Sequence, residues 1–254
     1  MLSKNKIKQI IALQKKKIRD ERGLYIIEGD KLIKEYLMSG MHIRTLFAKP
    51  EFINSLPDGL NRNIDETEHA SFDELKKIST LKTPHNAIAV VQIPEKQFDS
   101  NIILKDLCAA LDFIQDPGNL GTVIRSASWF GIENIVCSDD CVDIYNPKVI
   151  QASMGAIMHV NVYYTDLQRF LAGAVEKGVP VYGTMTEGES IYSQALGKIG
   201  VILLGNESRG ISDELLTYVS KRIMIPRLNN FRLGIDSLNV GMAASVIFSE
   251  FARR

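Results

Sequence analysis

FIQDPGNLGTVIRSASWFG, residues 113–131, reads as a strand end that turns on Pro117-Gly118 into a helix. Leu120, Val123, Ile124, Ala127 and Phe130 fall on one stripe of that helix, and Asn119 has the chemistry of an N-cap. Arg125 projects roughly opposite the stripe, where an arginine of an isolated helix would face solvent. The stretch matches neither common phosphate loop: it has no G-x-G-x-x-G and no Walker lysine.

Outward from this stretch, short apolar runs recur in LCAALDFI (107–114), NIVCS (134–138), VNVYYT (160–165), PVYGTM (180–185), IGVILLG (199–205) and RIMIP (222–226). Helical patterns such as DLQRFLAGAVEKG (166–178) and DELLTYVS (213–220) lie between most of them. Alternation of this kind predicts an α/β domain with a mostly parallel sheet covered on both faces. Residues 105–254 form that domain, and its unusual residues fall after strands, where ligands bind in such sheets.

Upstream, residues 1–95 alternate helix and strand: KNKIKQIIALQKKKIRDERG (4–23) as a helix ending near Gly23, then LYIIEGD, KLIKEYLMSG, IRTLFA, SFDELKKIST with Ser71 and Glu74 at capping-box positions, and NAIAVVQI. They predict a small α/β domain of their own. PEKQFDSN, residues 94–101, is polar and turn-rich, and places the linker at 96–104.

Of the 254 residues 45% are hydrophobic and 24% charged, ordinary values for a globular chain, and formal net charge is zero. Charge is unevenly distributed. Residues 1–22 carry eight Lys or Arg against Asp20 and Glu21, which suits either contact with phosphates or a solvated helix face. Cys108, Cys137 and Cys141 are too few and too irregularly spaced for a zinc site, and His42, His69, His85 and His159 are scattered, so no metal is expected. The absence of a signal pattern or an apolar run of membrane length points to the cytoplasm and away from membranes.

Two further stretches carry chemistry. LLGNESRGIS (203–212) puts Glu207 after an apolar strand and a Gly-Asn turn, with Gly205 small enough for a ligand to approach the backbone and Ser212 placed to cap the next helix. IDSLNVGMAASVIFSEF (235–251) is apolar nearly all round, as a helix buried within the domain or between subunits would be, and Ser237 and Asn239 stand at its start. Each reading has a plain alternative: an exposed loop glutamate, and a helix capped by Ser237 with Asn239 in solvent.

In their order, NLGTVIRSASWFG, SMGA, GNESRGIS and IP…SLNV resemble the motifs of the SpoU/TrmH family of RNA ribose 2′-O-methyltransferases, of the SPOUT class. IIEGDKLIKEYL resembles the appended substrate-binding domain of that family, which is similar to ribosomal RNA-binding proteins. The resemblance implies a C-terminal domain with a deep trefoil knot, S-adenosylmethionine as cofactor, and a homodimer formed through the C-terminal helix. Carried over position by position, it implies a catalytic set of Asn119, Arg125, Glu207, Ser237 and Asn239, and cofactor contacts at Thr184, Gly205, Asn206, Ile225 and Leu238. The implied substrate is RNA, most simply ribosomal. Transfer RNA, or a non-catalytic RNA-binding or ribosome-assembly role on the same fold, are the alternatives. The chain departs from the family pattern at Ser208, where many members have glycine, and in a longer 227–236 segment containing Arg232.

Overall fold

The basic opening segment folds as two helices, where the sequence predicts one. Ser3 accepts the Lys6 N–H and starts α1 (Lys4–Ala12), and the chain breaks before α2 (Lys16–Arg22), which ends on Gly23 at φ 63°. Arg19 closes the break. Only 2% exposed, it donates through Nη1 to the Leu13 and Gln14 carbonyls, each at 2.9 Å. Carbonyls at a helix end have no partner within the helix, so this arginine acts as a cap contributed from the next one. Lys16 and Lys17 face Asp20 and Glu21 one turn on. These two pairs use both acids of the segment and leave its positive excess in place.

The computed structural model describes residues 2–227 and 237–253, so Arg232 and most of the extended 227–236 segment lie outside the described residues. The chain divides into two units, residues 1–95 with 145–155, and residues 96–144 with 156–254. The first continues with β1 (Leu24–Glu28), α3 (Asp30–Met38), β2 (Ile43–Ala48), α4 (Pro50–Asn54), β3 (Ile64–His69), α5 (Phe72–Ile78) and β4 (Ala87–Gln92). Its sheet has the order β1-β4-β2-β3, with only β2 and β3 parallel. Strand β3, IDETEH, is not anticipated from sequence because it lies at an edge, where charge protects an open ladder and burial leaves no apolar alternation. Lys6 pairs there with Glu66 at 3.0 Å and with Glu68. The capping box of Ser71 and Glu74 forms as predicted.

In the second unit the chain passes through α6 (Ser100–Ile103), β5 (Leu107–Leu111), α7 (Pro117–Trp129), β6 (Asn134–Cys137), β7 (Asn161–Tyr164), α9 (Leu167–Glu176), β8 (Val181–Ser190), β9 (Gly200–Leu204), α10 (Asp213–Leu216), β10 (Lys221–Met224) and α11 (Val240–Arg253). Between β6 and β7, α8 (Pro147–Ser153) belongs to the first unit, where Tyr145 packs on Tyr25 with ring centroids 4.6 Å apart. The segment read as a linker is ordered against the second unit: Phe98 meets Tyr163 and Phe170 edge-on, and Ile103 and Leu104 are buried.

Six strands in the order β10-β8-β9-β5-β6-β7 make an entirely parallel sheet. Of its central strands, β9 is buried throughout and β5 from Cys108 on, as strands covered on both faces must be. The order runs outward from β5 in both directions, which sets the carboxyl ends of β5 and β9 side by side at a switch point. Strand β8 runs on past the apolar run PVYGTM read from the sequence. Pairing of β8 with β10 jumps from Gly183–Arg222 to Glu189–Ile223, so residues 184–188 arch out of the ladder and the strand then resumes.

Replacing Arg19 with alanine empties a buried site and leaves two helix-end carbonyls without that donor. We expect a loss of about 2–4 kcal/mol in unfolding free energy by urea titration.

Candidate active site

Asp116, and not Asn119, caps α7: its Oδ1 accepts the Asn119 N–H at 2.8 Å, and Pro117 takes the first helical position. Asn119 therefore stands in the first turn with its side chain available. Its Nδ2 donates to Glu207 Oε1, and its Oδ1 accepts from Asn239 Nδ2 at 2.8 Å. Asn239 Oδ1 in turn accepts the N–H groups of Gly241 and Met242, at 3.0 and 3.3 Å. Asn239, not Ser237, is thus the cap of α11.

The direction of this chain is chemically determined. An ionised carboxylate only accepts and backbone N–H groups only donate, so both asparagine amides have one orientation that satisfies all three links. The chain runs from the N-terminal donors of a helix, where the macrodipole is positive, to a carboxylate. Asn119, Glu207 and Asn239, which the sequence places far apart, are brought into one bonded group.

Glu207 is positioned by a loop that closes on itself. Asn206 and Gly210 exchange backbone bonds at 2.9 and 2.8 Å. A Cβ on Gly205 would lie 2.2 Å from the Gly210 carbonyl carbon and 2.3 Å from the Ile211 nitrogen. Within the chain itself, the close approach that the absence of a Cβ on Gly205 permits is that of its own loop. Asn206 Nδ2 donates to the Phe113 carbonyl at 2.9 Å, its Oδ1 accepts the Ser208 and Arg209 N–H groups, and Asp112 Oδ2 accepts the Ser212 N–H at 2.7 Å. Ser212 holds the cap position of α10 without a capping side-chain bond.

Helices α7 and α11 cross closely because two small pairs face each other. Ser126 and Ser245 hydroxyls are 2.5 Å apart, and a Cβ on Gly241 would meet Thr122 Cγ2 at 2.8 Å. The buried face of α7 is the predicted one, and Arg125 is exposed. Among the described residues no hydrogen bond or ion pair holds its guanidinium. Helix α11 is not buried all round: Ala244, Ile247, Phe248 and Phe251 pack inward, but Met242 is 63% exposed, as are Leu238 (48%) and Trp129 (82%).

The remaining expected residues are less constrained. Ser237 is exposed, Thr184 is half-buried at the first position of the arch, and Ile225 is half-buried one residue past β10. No direct bond among the described residues joins them, or Arg125, to the asparagine–glutamate group. Sequence reasoning missed Asp112, Asp116, Phe113 and Arg209, whose roles depend on which loops face each other.

Cys137 and Cys141 are buried thiols at the same edge of the sheet. Cys141 Sγ lies 3.3 Å from the Leu111 carbonyl and 3.2 Å from the Ile114 N–H. A hydrogen bond with Cys137 is the largest influence drawing its pKa down to about 7. Among the described residues no three His, Cys, Asp or Glu side chains are grouped so as to hold a metal ion.

Fold and geometry together define a parallel α/β protein whose polar site is assembled at a switch point from three separate chain segments. The chain belongs to the SpoU rRNA Methylase family, whose sequence profile matches residues 106–249, and residues 4–89 match the MRM3-like substrate binding domain. It is 28% identical over 245 residues to the 23S rRNA (guanosine(2553)-2′-O)-methyltransferase of Bacillus subtilis, covering 95% of this chain and 94% of that one. Among solved structures, a TrmH-family protein of Porphyromonas gingivalis superimposes with a TM-score of 0.88 at 33% identity, covering 100% and 99% of the two chains. The S-adenosylmethionine-bound rRNA methyltransferase of Sinorhizobium meliloti gives 0.84 at 26%, covering 100% and 96%.

The loop geometry yields a direct check. Gly205→Ala forces backbone against backbone, which no rotamer relieves, and should open the 206–210 ring. Hydrogen exchange at the Asn206 and Gly210 amides should accelerate at least about tenfold while β5 and β9 stay protected; unchanged exchange would contradict the close contact.

Proposed function

We propose that the chain transfers the methyl group of S-adenosylmethionine to a ribose 2′-hydroxyl of ribosomal RNA. The observation that carries this reading is the bonded group Asn239–Asn119–Glu207, built from the segments that carry the family motifs. Family membership and the rRNA 2′-O-methyltransferase from Bacillus, similar along nearly its whole length, support it.

The residues of the sheet edge suit the cofactor. The 205–210 loop supplies backbone polar groups, the arch that begins at Thr184 stands beside it in strand order, and Ile225 and Leu238 supply apolar side chains that the chain itself leaves partly uncovered. Thr184, Gly205, Asn206, Ile225 and Leu238 would hold it. When bound, S-adenosylmethionine supplies a methyl group already activated by its sulfonium. The protein must then align an attacking oxygen and manage the proton of a weakly acidic alcohol.

Arg125 meets the second need as a cation. A guanidinium with pKa above about 12 is a poor base, but its planar fork can grip an RNA phosphate and stabilise negative charge growing on the 2′ oxygen. It is exposed on the helix that also carries Asn119, and free of any internal ion pair among the described residues. Asn119 and Glu207 organise the site around it, and Ser237 and Asn239 offer polar groups at the start of α11.

The same reading includes three finer features. Helix α11 follows an edge strand yet returns to pack on α7, as a chain threaded into a trefoil knot would. Exposed Trp129, Leu238 and Met242 suit burial in a homodimer formed through the C-terminal unit. With three unpaired cysteines, and no helix among the described residues long and apolar enough to cross a membrane, we assign the protein to the cytoplasm. Residues 1–95 serve as the RNA-gripping domain and 105–254 as the methyltransferase domain.

Arg125→Lys keeps the charge and removes the fork. Titration calorimetry should show S-adenosylhomocysteine binding unchanged from wild type, while kcat on ribosomal RNA falls about 100-fold. Near-normal turnover would contradict the role given to the fork, and no cofactor affinity in the wild type would sink the enzymatic reading.

A further inference from the structure

Phe113 has a backbone conformation that its side chain disfavours. At φ 58° it lies in the left-handed region, which glycine enters without strain and which a bulky residue occupies only when its surroundings hold it there. They do so here from both sides: the Phe113 N–H donates to Ser138 Oγ at 3.0 Å, and its carbonyl accepts from Asn206 Nδ2 at 2.9 Å. The ring so placed is only partly buried, so core filling does not account for it. Over that ring lies the Arg209 guanidinium, 4.9 Å from the centroid. The same Asn206 that bonds Phe113 also accepts the Arg209 N–H, at 3.2 Å. One asparagine therefore sets both members of the pair. Arg209 is exposed, and among the described residues it has no carboxylate partner.

We propose that Arg209, carried on the Phe113 ring, is a platform on which an unpaired RNA base stacks beside the methyl-transfer site. The inference rests on the RNA methylation proposed above and identifies what part of the substrate the 206–210 loop contacts. Glu207, two residues before Arg209, is bonded to Asn119, so platform and polar group share one rigid loop. A 2′-hydroxyl presented for reaction belongs to a nucleotide pulled from its helix, and the unstacked base then needs a new surface. Guanidinium planes and aromatic rings provide it in RNA recognition, and the positive charge favours the adjoining phosphate. Arg209 would touch the base directly. Phe113 acts through Arg209, as a positioning residue.

The test uses the full chain and two single-stranded probes: hexa-adenylate, and the same ribose-phosphate hexamer without bases. Wild type should bind the base-bearing hexamer roughly 5- to 100-fold more tightly. Arg209→Lys, which keeps the charge, should abolish most of that difference and leave base-free binding nearly unchanged. Phe113→Gly should abolish it too, with thermal stability retained because glycine suits the backbone there, while Phe113→Tyr should preserve it. S-adenosylhomocysteine affinity should be the same in all four proteins.

Base selectivity that survives Arg209→Lys, or is absent from wild type, overturns the platform. A fall in cofactor affinity with base selectivity intact also overturns it, by giving the pair to the cofactor's adenine. If wild type binds no cofactor yet discriminates the hexamers through Arg209, the platform stands and the methyl-transfer reading fails.

Discussion

One directed run of hydrogen bonds, from the first amides of α11 through Asn239 and Asn119 to Glu207, holds the three motif segments of the candidate site together. Each link fixes the next. The two amides have a single satisfying orientation, because donors stand at one end and an acceptor-only carboxylate at the other. Two of the links, Asn119 to Glu207 and the Gly241 amide to Asn239, are partly buried, so breaking either strands a polar group away from water.

That run needs a scaffold that brings three distant segments within bonding distance, and small residues provide it. Gly241 lets α11 close on Thr122 of α7, and the Ser126–Ser245 contact holds the crossing one turn further along. Gly205 lets the loop after β9 fold onto its own backbone, and Asn206 and Asp112 tie that loop to the end of β5. Parallel pairing of β5 and β9 sets the two loops side by side before any side chain acts. Two exposed arginines are carried on the elements that also carry the polar group, Arg125 on α7 with Asn119 and Arg209 on the loop with Glu207. On the proposed reading they divide the work on RNA, one meeting phosphate and the developing oxyanion, the other a base.

Much of this was legible in the sequence because burial leaves periodic traces. The parallel sheet showed as continuous apolar runs, and the buried face of α7 as a stripe at helical spacing. The order of the motifs pointed to Asn119, Glu207 and Asn239. What escaped has no local signature. Asp116 holds the cap position expected of Asn119, and Asn239 the one for which Ser237 was the alternative, since several residues near each helix start had capping chemistry and tertiary partners chose among them. The arch within β8 leaves no trace in PVYGTM, because it arises from pairing with β10, far along the chain. Arg19 counted as surface charge until its helix-end carbonyls were in view. The assignment of 145–155 to the first unit is invisible to a reading that divides the chain at points along its length.

On the proposed reading these segments form one catalytic site acting on ribosomal RNA. Mapping of 2′-O-methyl groups at nucleotide resolution tests it most directly, in ribosomal RNA from cells lacking the gene and from the same cells given back wild type or Asn119→Ala. A ribose should lose its methyl group in the deletion, regain it with wild type and stay unmodified with the variant. An identical methylation pattern in all three would contradict it.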